Sequence, residues 1–137
     1  MSSIIIIDDH DIVRAGIKDI AQRVCNKCSI EEASDAEKGL EKIRNAQFNA
    51  AIVDISLPDK DGFEVVSSIK QFSPDTKILV FTMHSDKVYA KKILELGAEG
   101  FVSKEAITGE LEVALKKILN GGRYISKKCA EELLFSD

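Results

Sequence analysis

Short apolar runs recur along this chain, and most of them end on a polar side chain. Predicted strands cover Ser3–Ile7, Ser29–Glu32, Ala50–Val53, Lys77–Phe81 and Gly100–Val102. All but the second are nearly continuous in Ile, Val, Leu, Phe or Ala, which is typical of strands buried on both faces of a parallel sheet. The second run is short and polar, which favours an edge position. The chain is therefore restricted to folds in which other elements cover both faces of a sheet.

Helical patterns lie between these runs. In the first of them, Ile12, Ala15 and Ile20 recur at a spacing that places them on one face of a helix. Asp11 and Asp35 are predicted N-caps, and Gly97 and Gly121 follow predicted helix ends. Strand–helix units in series predict an α/β fold. The short second strand favours a flavodoxin-like, doubly wound sheet of five strands in the order 2-1-3-4-5, with five flanking helices and a short C-terminal helical tail.

Polar residues suited to chemistry follow four of the strands: Asp8 and Asp9, Asp54, Thr82, and Lys104. Because the carboxyl ends of parallel strands meet at one edge of the sheet, these side chains are expected to converge. Three neighbouring carboxylates need a cation, and Mg²⁺ prefers oxygen ligands while leaving room for phosphate oxygens. Each residue alone has a structural explanation, as a cap or a solvated strand end. Their joint occurrence at one edge predicts phosphoryl transfer onto a carboxylate.

Composition and charge exclude several classes of protein. With 137 residues, 45% of them hydrophobic and 31% charged, the chain has the composition of one ordinary globular domain. Its net charge of −4 is opposite in sign to what a DNA-binding surface needs. No apolar stretch is long enough to span a membrane, and the N-terminus does not have the pattern of a signal peptide. A cytoplasmic location is expected.

Three cysteines are present, and two of them form a C-x-x-C pair, Cys25 and Cys28. A zinc site would need two further ligands at suitable spacing. A redox motif normally opens a helix, whereas this pair closes the first predicted helix. We therefore expect free structural thiols, as in a reducing cytoplasm.

The chain resembles the receiver domain of two-component response regulators over nearly its whole length. The matching pieces are Asp8-Asp9 after strand one, the segment from Asp54 to Gly62 after strand three, Thr82 after strand four and Lys104 after strand five. The segment has the pattern D-x-x-x-P-x-x-x-G, which is specific in this position. Pro58 fixes φ in the loop, and Gly62 is expected to permit the turn into the third helix.

The resemblance implies a role for each site residue. Asp54 would accept a phosphoryl group from a sensor histidine kinase, with Lys104 pairing with that group. Thr82 would move toward it, and Phe101 would be the second switch residue. The protein would then be no enzyme for external substrates, because it would catalyse only its own phosphorylation and dephosphorylation.

The implied cofactor is Mg²⁺. Its ligands would be Asp9, Asp54 and the backbone carbonyl of Ser56, with Asp8 acting through water. His10, beside the acid pair, is expected to be a residue of the first helical turn rather than a ligand, because Mg²⁺ prefers oxygen. His84 has no evident orienting partner in the sequence, and a structural role is favoured over a catalytic one.

Finer motifs resemble regulators of the nitrate-response (NarL/FixJ-like) type: Asp8-Asp9-His10, Thr82-Met83-His84, the segment from Gly97 to Lys104, and the segment from Gly121 to Ser126. The resemblance divides the chain into a receiver, residues 1–122, and a tail or linker start, residues 123–137. In that subfamily a helix-turn-helix domain follows, and DNA would be bound only through it. Phosphorylation would change the surface of helix 4, strand 5 and helix 5 and so control dimerisation or the output domain.

Three alternatives remain at this point. A small Mg²⁺-dependent phosphatase would usually carry a second Asp where this chain has Ser56. An electron carrier that binds FMN would need a phosphate-cradling loop in place of the acidic residues after strand one. A stand-alone or degenerate receiver, acting as a protein-interaction module, is the third.

Overall fold

A computed structural model describes residues 2–82, 87–103 and 107–125. The elements are β1 (Ser3–Ile7), α1 (Asp11–Val24), β2 (Ser29–Ala33), α2 (Ala36–Asn45), β3 (Ala50–Asp54), α3 (Gly62–Phe72), β4 (Lys77–Thr82), α4 (Lys87–Glu95), β5 (Gly100–Ser103), α5 (Ile107–Leu119) and β6 (Tyr124–Ile125). Several residues named above lie outside the described part: Met83, His84, Lys104, Ser126 and residues 127–135, for which a helical tail is predicted.

All strand pairs are parallel, and the sheet has the order β2-β1-β3-β4-β5-β6. The predicted order of the first five strands is confirmed. The predicted number of strands is wrong, because Tyr124 and Ile125 add a sixth strand beside Gly100 and Phe101 of β5. A two-residue strand has no periodic signal that could reveal it, and it exists because the edge of β5 is available for pairing.

The side chains of each buried strand contribute alternately to two hydrophobic cores, one on each face of the sheet. In β1, Ile5 and Ile7 point into the core under α2, α3 and α4, whereas Ile4 and Ile6 point into the core under α1 and α5. This alternation follows from the period of two along a strand. It explains why the strands are apolar throughout, and it leaves only the strand ends for polar groups.

Helix termini agree with the sequence except at α1. The Asp35 side chain accepts a hydrogen bond from the backbone N–H of Lys38 at 2.8 Å, as predicted for an N-cap. Gly97 and Gly121 have φ values of 107° and 89°, which only glycine adopts without strain. The prediction for Asp11 is wrong by one position: Asp11 is the first helical residue, and His10 is the N-cap.

The prediction of free thiols is also wrong for the C-x-x-C pair, because Cys25 and Cys28 form a disulfide. The chain turns directly after α1, and the Cys28 N–H donates to the Cys25 carbonyl at 3.1 Å. That turn brings the two Cα atoms to 5.3 Å, within the range that a disulfide spans. Within the described part of the chain, no helix combines the length and the apolar character needed to cross a bilayer.

Candidate functional site

The carboxyl edge of the sheet brings together polar side chains from three neighbouring strands. Asp8 follows β1, Asp54 ends β3 and Thr82 ends β4, and all three are fully buried. Asp54 lies opposite Phe81 in the register of β3 and β4, one residue before Thr82. The expected convergence at one edge therefore holds for these residues.

Four donor groups form a tight cluster at this edge: Asp8, Asp9, His10 and Asp54. One ligand atom from each lies within 4.8 Å of the others. His10 Nδ1 is 3.1 Å from Asp8 Oδ1, 3.1 Å from Asp9 Oδ1 and 3.8 Å from Asp54 Oδ2. Three carboxylates at this separation fit a divalent cation, because oxygen donors of like charge repel one another without one.

Backbone donors hold the two buried carboxylates in place. Asp54 Oδ1 accepts a hydrogen bond from the Ser56 N–H at 2.8 Å. Asp8 Oδ1 accepts one from the His10 N–H at 3.1 Å. Each carboxylate is thus oriented by the backbone N–H of the residue two positions later, in the turn that follows its strand.

Arg14 connects α1 to the site through contacts that the sequence patterns did not predict. Its Nη1 donates to the Asp8 carbonyl at 2.7 Å, its Nη2 to Asp11 at 2.8 Å, and its Nε to Glu32 of β2 at 3.1 Å. Burial lowers the pKa of the Arg14 guanidinium, but the hydrogen bonds to Asp11 and Glu32 outweigh it and hold that pKa above its ordinary value. Its position one turn into α1 is the only sequence signal that could have suggested this contact.

The loop after β3 is held in place by Asp59, which contacts the start of α2. The Asp59 carboxylate accepts hydrogen bonds at 3.0 Å from the backbone N–H groups of Ala36 and Glu37, at the start of α2. Burial raises the pKa of Asp59, but these backbone hydrogen bonds outweigh it and hold the pKa below its ordinary value. The loop that carries the D-x-x-x-P-x-x-x-G pattern is therefore attached to the N-terminus of α2.

Gly62 ends this loop for a different reason from the one expected. Its φ is not positive, so conformational freedom in the turn is not what requires glycine. A Cβ at Gly62 would lie 2.5 Å from Ile55 Cβ and 2.9 Å from the Ile55 carbonyl oxygen. The requirement is close approach of two backbone segments, which no local pattern reveals.

The expected switch residues lie on adjacent strands behind the site. Phe101 is fully buried and sits opposite Val80 in the pairing of β4 and β5, on the side covered by α2, α3 and α4. Thr82, at the end of β4, is opposite Ser103. The two residues are thus on neighbouring strands, two register positions apart.

Comparison with known proteins agrees with this geometry. Residues 4–116 match the response regulator receiver domain. The chain is 30% identical over 136 residues to the response regulator UvrY of Escherichia coli K12, covering 99% of this chain and 62% of UvrY. The chain thus spans about three-fifths of the length of the curated relatives it matches.

Solved structures give the same result. A LuxR-family two-component response regulator from Aurantimonas has a TM-score of 0.89 at 33% identity, covering 98% of this chain and 96% of that one. The isolated receiver domain of RcsB from Salmonella enterica, solved with the phosphomimetic BeF₃⁻, has a TM-score of 0.87 at 27% identity, covering 96% and 98%. A complex of RcsB with DNA has a TM-score of 0.87 at 26% identity, covering 97% and 67%. The chain belongs to the receiver domain family of two-component response regulators, proteins of phosphorylation-based signalling.

Proposed function

We propose that Asp54 is the phosphoacceptor of this receiver and takes its phosphoryl group from a sensor histidine kinase. The observation that carries the proposal is the fully buried Asp54 carboxylate at the end of β3, clustered with Asp8 and Asp9. The Ser56 N–H holds one oxygen of Asp54 at 2.8 Å, which fixes the direction of the other.

In the proposed transfer, an Asp54 oxygen attacks phosphorus and the P–N bond of the donor phosphohistidine breaks. The bonding electrons leave with the imidazole nitrogen, and an acyl phosphate forms on Asp54. Asp9, Asp54 and the Ser56 carbonyl would hold Mg²⁺, with Asp8 acting through water, and the ion would neutralise charge on the phosphoryl oxygens. The all-oxygen donors of the three carboxylates fit that ion.

The product adds about two negative charges at a buried strand end. We assign Lys104 as the cation that pairs with them and the Thr82 hydroxyl as a hydrogen-bond donor. Thr82 is buried at the end of the next strand, which supports this role. Lys104 directly follows Ser103, which is opposite Thr82 in the register.

The positions of Thr82 and Phe101 support a switch between these two residues. A Thr82 side chain drawn toward the phosphoryl group changes the space available to the Phe101 ring, which fills the core behind it. Phosphorylation then shifts the population between two packings of the α4–β5–α5 surface, because only one of them pairs well with the added charge.

For the output we propose dimerisation or control of a C-terminal helix-turn-helix domain, which would bind DNA. The support is that UvrY is longer than this chain and that RcsB has been solved with DNA. Residues 1–122 would be the receiver and residues 123–137 its tail or linker start, working in the cytoplasm. The second candidate, a stand-alone receiver that acts by protein interaction, uses the same switch without the DNA-binding domain.

The test is intact-protein mass spectrometry after incubation with a small acyl phosphate and Mg²⁺. Wild-type protein is expected to gain the mass of one phosphoryl group, and Asp54→Asn to gain none. Thr82→Ala, which keeps the acceptor, serves as the matched control and should still be labelled. An undiminished gain in Asp54→Asn would refute the assignment. Sedimentation of labelled and unlabelled protein then measures dimerisation.

A further inference from the structure

A cavity opens at the amino edge of the sheet, the edge opposite the acid cluster. It is lined by Ser2, Asn49 and Lys77, which precede or begin β1, β3 and β4, by the end of α5, and by the Cys25–Cys28 disulfide. The cavity has a volume of about 340 Å³, and both cysteines are half-buried. A reagent in solution can therefore reach the disulfide in the folded protein.

Backbone hydrogen bonds hold the turn that carries the disulfide. The Cys25 N–H donates to the Ala21 carbonyl at 2.9 Å, and the Cys28 N–H donates to the Cys25 carbonyl at 3.1 Å. The Ser29 N–H then donates to the Ser2 carbonyl at 3.0 Å, which fixes the start of β2. These bonds involve no sulfur atom. The turn is thus expected to keep its shape when the S–S bond is broken, so that the two thiols stay close enough to pair again.

We propose that Cys25 and Cys28 form a thiol–disulfide exchange site, which a dithiol reduces through this cavity. Disulfides are rare in the cytoplasm, where those that occur are usually transient and have a catalytic or redox-sensing role. That argument rests on the proposed function, which places the protein in the cytoplasm. The exchange itself goes beyond phosphoryl transfer and uses none of the residues of the acid cluster.

The exchange has two steps. A thiolate of the dithiol attacks Cys25 Sγ, the S–S bond breaks, and its electron pair leaves on Cys28 Sγ, which takes up the proton that the attacking thiol lost. The second thiol of the dithiol then attacks the dithiol sulfur of the mixed disulfide, and Cys25 leaves and is protonated. The protein disulfide is thereby reduced to two thiols, and the dithiol is oxidised to a disulfide.

The direction of this attack follows from the position of the pair at the end of α1. Cys25 is the C-cap residue, where the negative end of the helix dipole disfavours a thiolate. Cys28 lies three residues beyond the helix and is therefore the better leaving group.

Reduction of the folded protein tests the proposal. Air-oxidised Cys129→Ser protein is incubated without denaturant with dithiothreitol or with glutathione at equal thiol concentration, then alkylated and weighed by mass spectrometry. Dithiothreitol is expected to give two free thiols at least about tenfold faster, because Cys28 attacks a mixed disulfide with a monothiol again and restores the S–S bond. Reduction only after denaturant is added, or equal rates with both reagents, would overturn the proposal.

Two further measurements use the same protein. A rate with reduced thioredoxin above that with dithiothreitol would identify a protein as the reductant, and a rate below it a small dithiol. After reduction, limited alkylation is expected to label Cys28 before Cys25, and the reverse order would contradict the assigned direction of attack.

A pair of matched variants tests access through the cavity. Asn120 lines the cavity and is exposed, and its Nδ2 donates to the Lys116 carbonyl at 2.9 Å. Asn45, at the end of α2, makes the equivalent bond to the Glu41 carbonyl at 3.0 Å and does not line this cavity. Asn120→Trp is expected to slow reduction by dithiothreitol about threefold or more, since exchange depends on access to the sulfur. Asn45→Trp should leave the rate unchanged, and equal rates in the two variants would refute entry through the cavity.

Phosphorylation separates this proposal from the proposed function. Labelling by a small acyl phosphate is expected to proceed in both the oxidised and the reduced protein, because the two sites lie at opposite edges of the sheet. If Asp54 is labelled but the disulfide resists reduction in the folded protein, only the exchange site fails. If the disulfide is reduced but no phosphoryl group is accepted, only the proposed phosphoacceptor fails.

Discussion

Arg14 Nη1 donates to the backbone carbonyl of Asp8 at 2.7 Å, so a side chain of α1 holds the residue that follows β1 at the site. The same guanidinium reaches Glu32 on β2. One side chain therefore joins α1, β1 and β2 beside the acid cluster. It touches none of the groups proposed to react, which makes it a positioning residue.

Replacing Arg14 is expected to cost stability and phosphorylation rate together. Arg14→Ala removes charge-assisted hydrogen bonds from a mostly buried side chain and should lower the free energy of unfolding by about 2 kcal/mol. Arg14→Lys keeps the charge but not the fork of donors, so an intermediate loss is expected. Urea denaturation gives the stability, and labelling by a small acyl phosphate gives the rate. If Arg14→Ala had the wild-type stability and labelling rate, the hydrogen bonds of Arg14 would have no positioning role at the site.

Ile12 presents an apolar side chain beside the site. It is 88% exposed in the first turn of α1, two residues after His10. An exposed apolar group in the helical turn that directly follows the acid cluster is where a partner that delivers a phosphoryl group would make contact.

Ile12→Ser is therefore expected to slow phosphotransfer from a histidine kinase by about tenfold, since losing a central interface contact costs more than about 1 kcal/mol. Labelling by a small acyl phosphate should be unchanged, because that donor needs no docking surface. Val113→Ser, at a 54% exposed position on α5, is the matched control. If Ile12→Ser slowed phosphorylation equally with the histidine kinase and with the small acyl phosphate, the substitution would be acting on the reaction site and not on kinase docking.

Asp59 gives the protein a pH-dependent stabilisation of α2. Its pKa is lowered in the folded protein, so the stabilisation is fully present above the unfolded-state value of about 3.9. It is lost as the pH falls through the still lower folded-state pKa. Asp59→Asn should therefore cost about 1 kcal/mol at pH 7, the usual size of a capping contribution.

Denaturant unfolding at pH 7 and at acidic pH measures this effect. The difference in free energy of unfolding between wild-type protein and Asp59→Asn should become smaller as the pH falls below the unfolded-state pKa of Asp59. Asp19→Asn is the control, because this exposed carboxylate lies 3.9 Å from Arg23 on the same helix face. It should lose less stability than Asp59→Asn at pH 7. Equal losses would mean that the two backbone hydrogen bonds contribute nothing specific.

The Cys25–Cys28 disulfide is expected to stabilise the turn between α1 and β2. Closing so short a loop contributes about 2 kcal/mol by restricting the unfolded chain. The double variant Cys25→Ser, Cys28→Ser should show that loss relative to air-oxidised protein. Alkylation of unfolded, unreduced protein checks the pairing: only Cys129 should react, and all three cysteines should react after reduction. Three reactive thiols in the oxidised sample would contradict the disulfide.

Several features were predictable because their signals are local. Apolar runs and helical spacing predicted five strands and five helices, and the position of polar residues at strand ends predicted that Asp8, Asp54 and Thr82 would meet. Such patterns depend on a period of two or about 3.6 residues and on the common direction of parallel strands.

Other features were not predictable because they depend on contacts between distant parts of the chain. The short β6 has no period of its own, and the need for glycine at position 62 comes from the backbone of Ile55. Asp59 caps a helix that begins more than twenty residues earlier in the chain.

The order of the first five strands and the acids at their carboxyl ends were thus determined by the sequence alone, since the short, polar second strand favours an edge and burial on both faces leaves polar groups at the ends of the other strands. The surroundings of those acids were decided by the tertiary structure. Arg14 holding the Asp8 carbonyl and His10 facing three carboxylates both arise from how α1 is seated against the sheet. Side-chain directions of this kind follow from packing, which no spacing along the chain encodes.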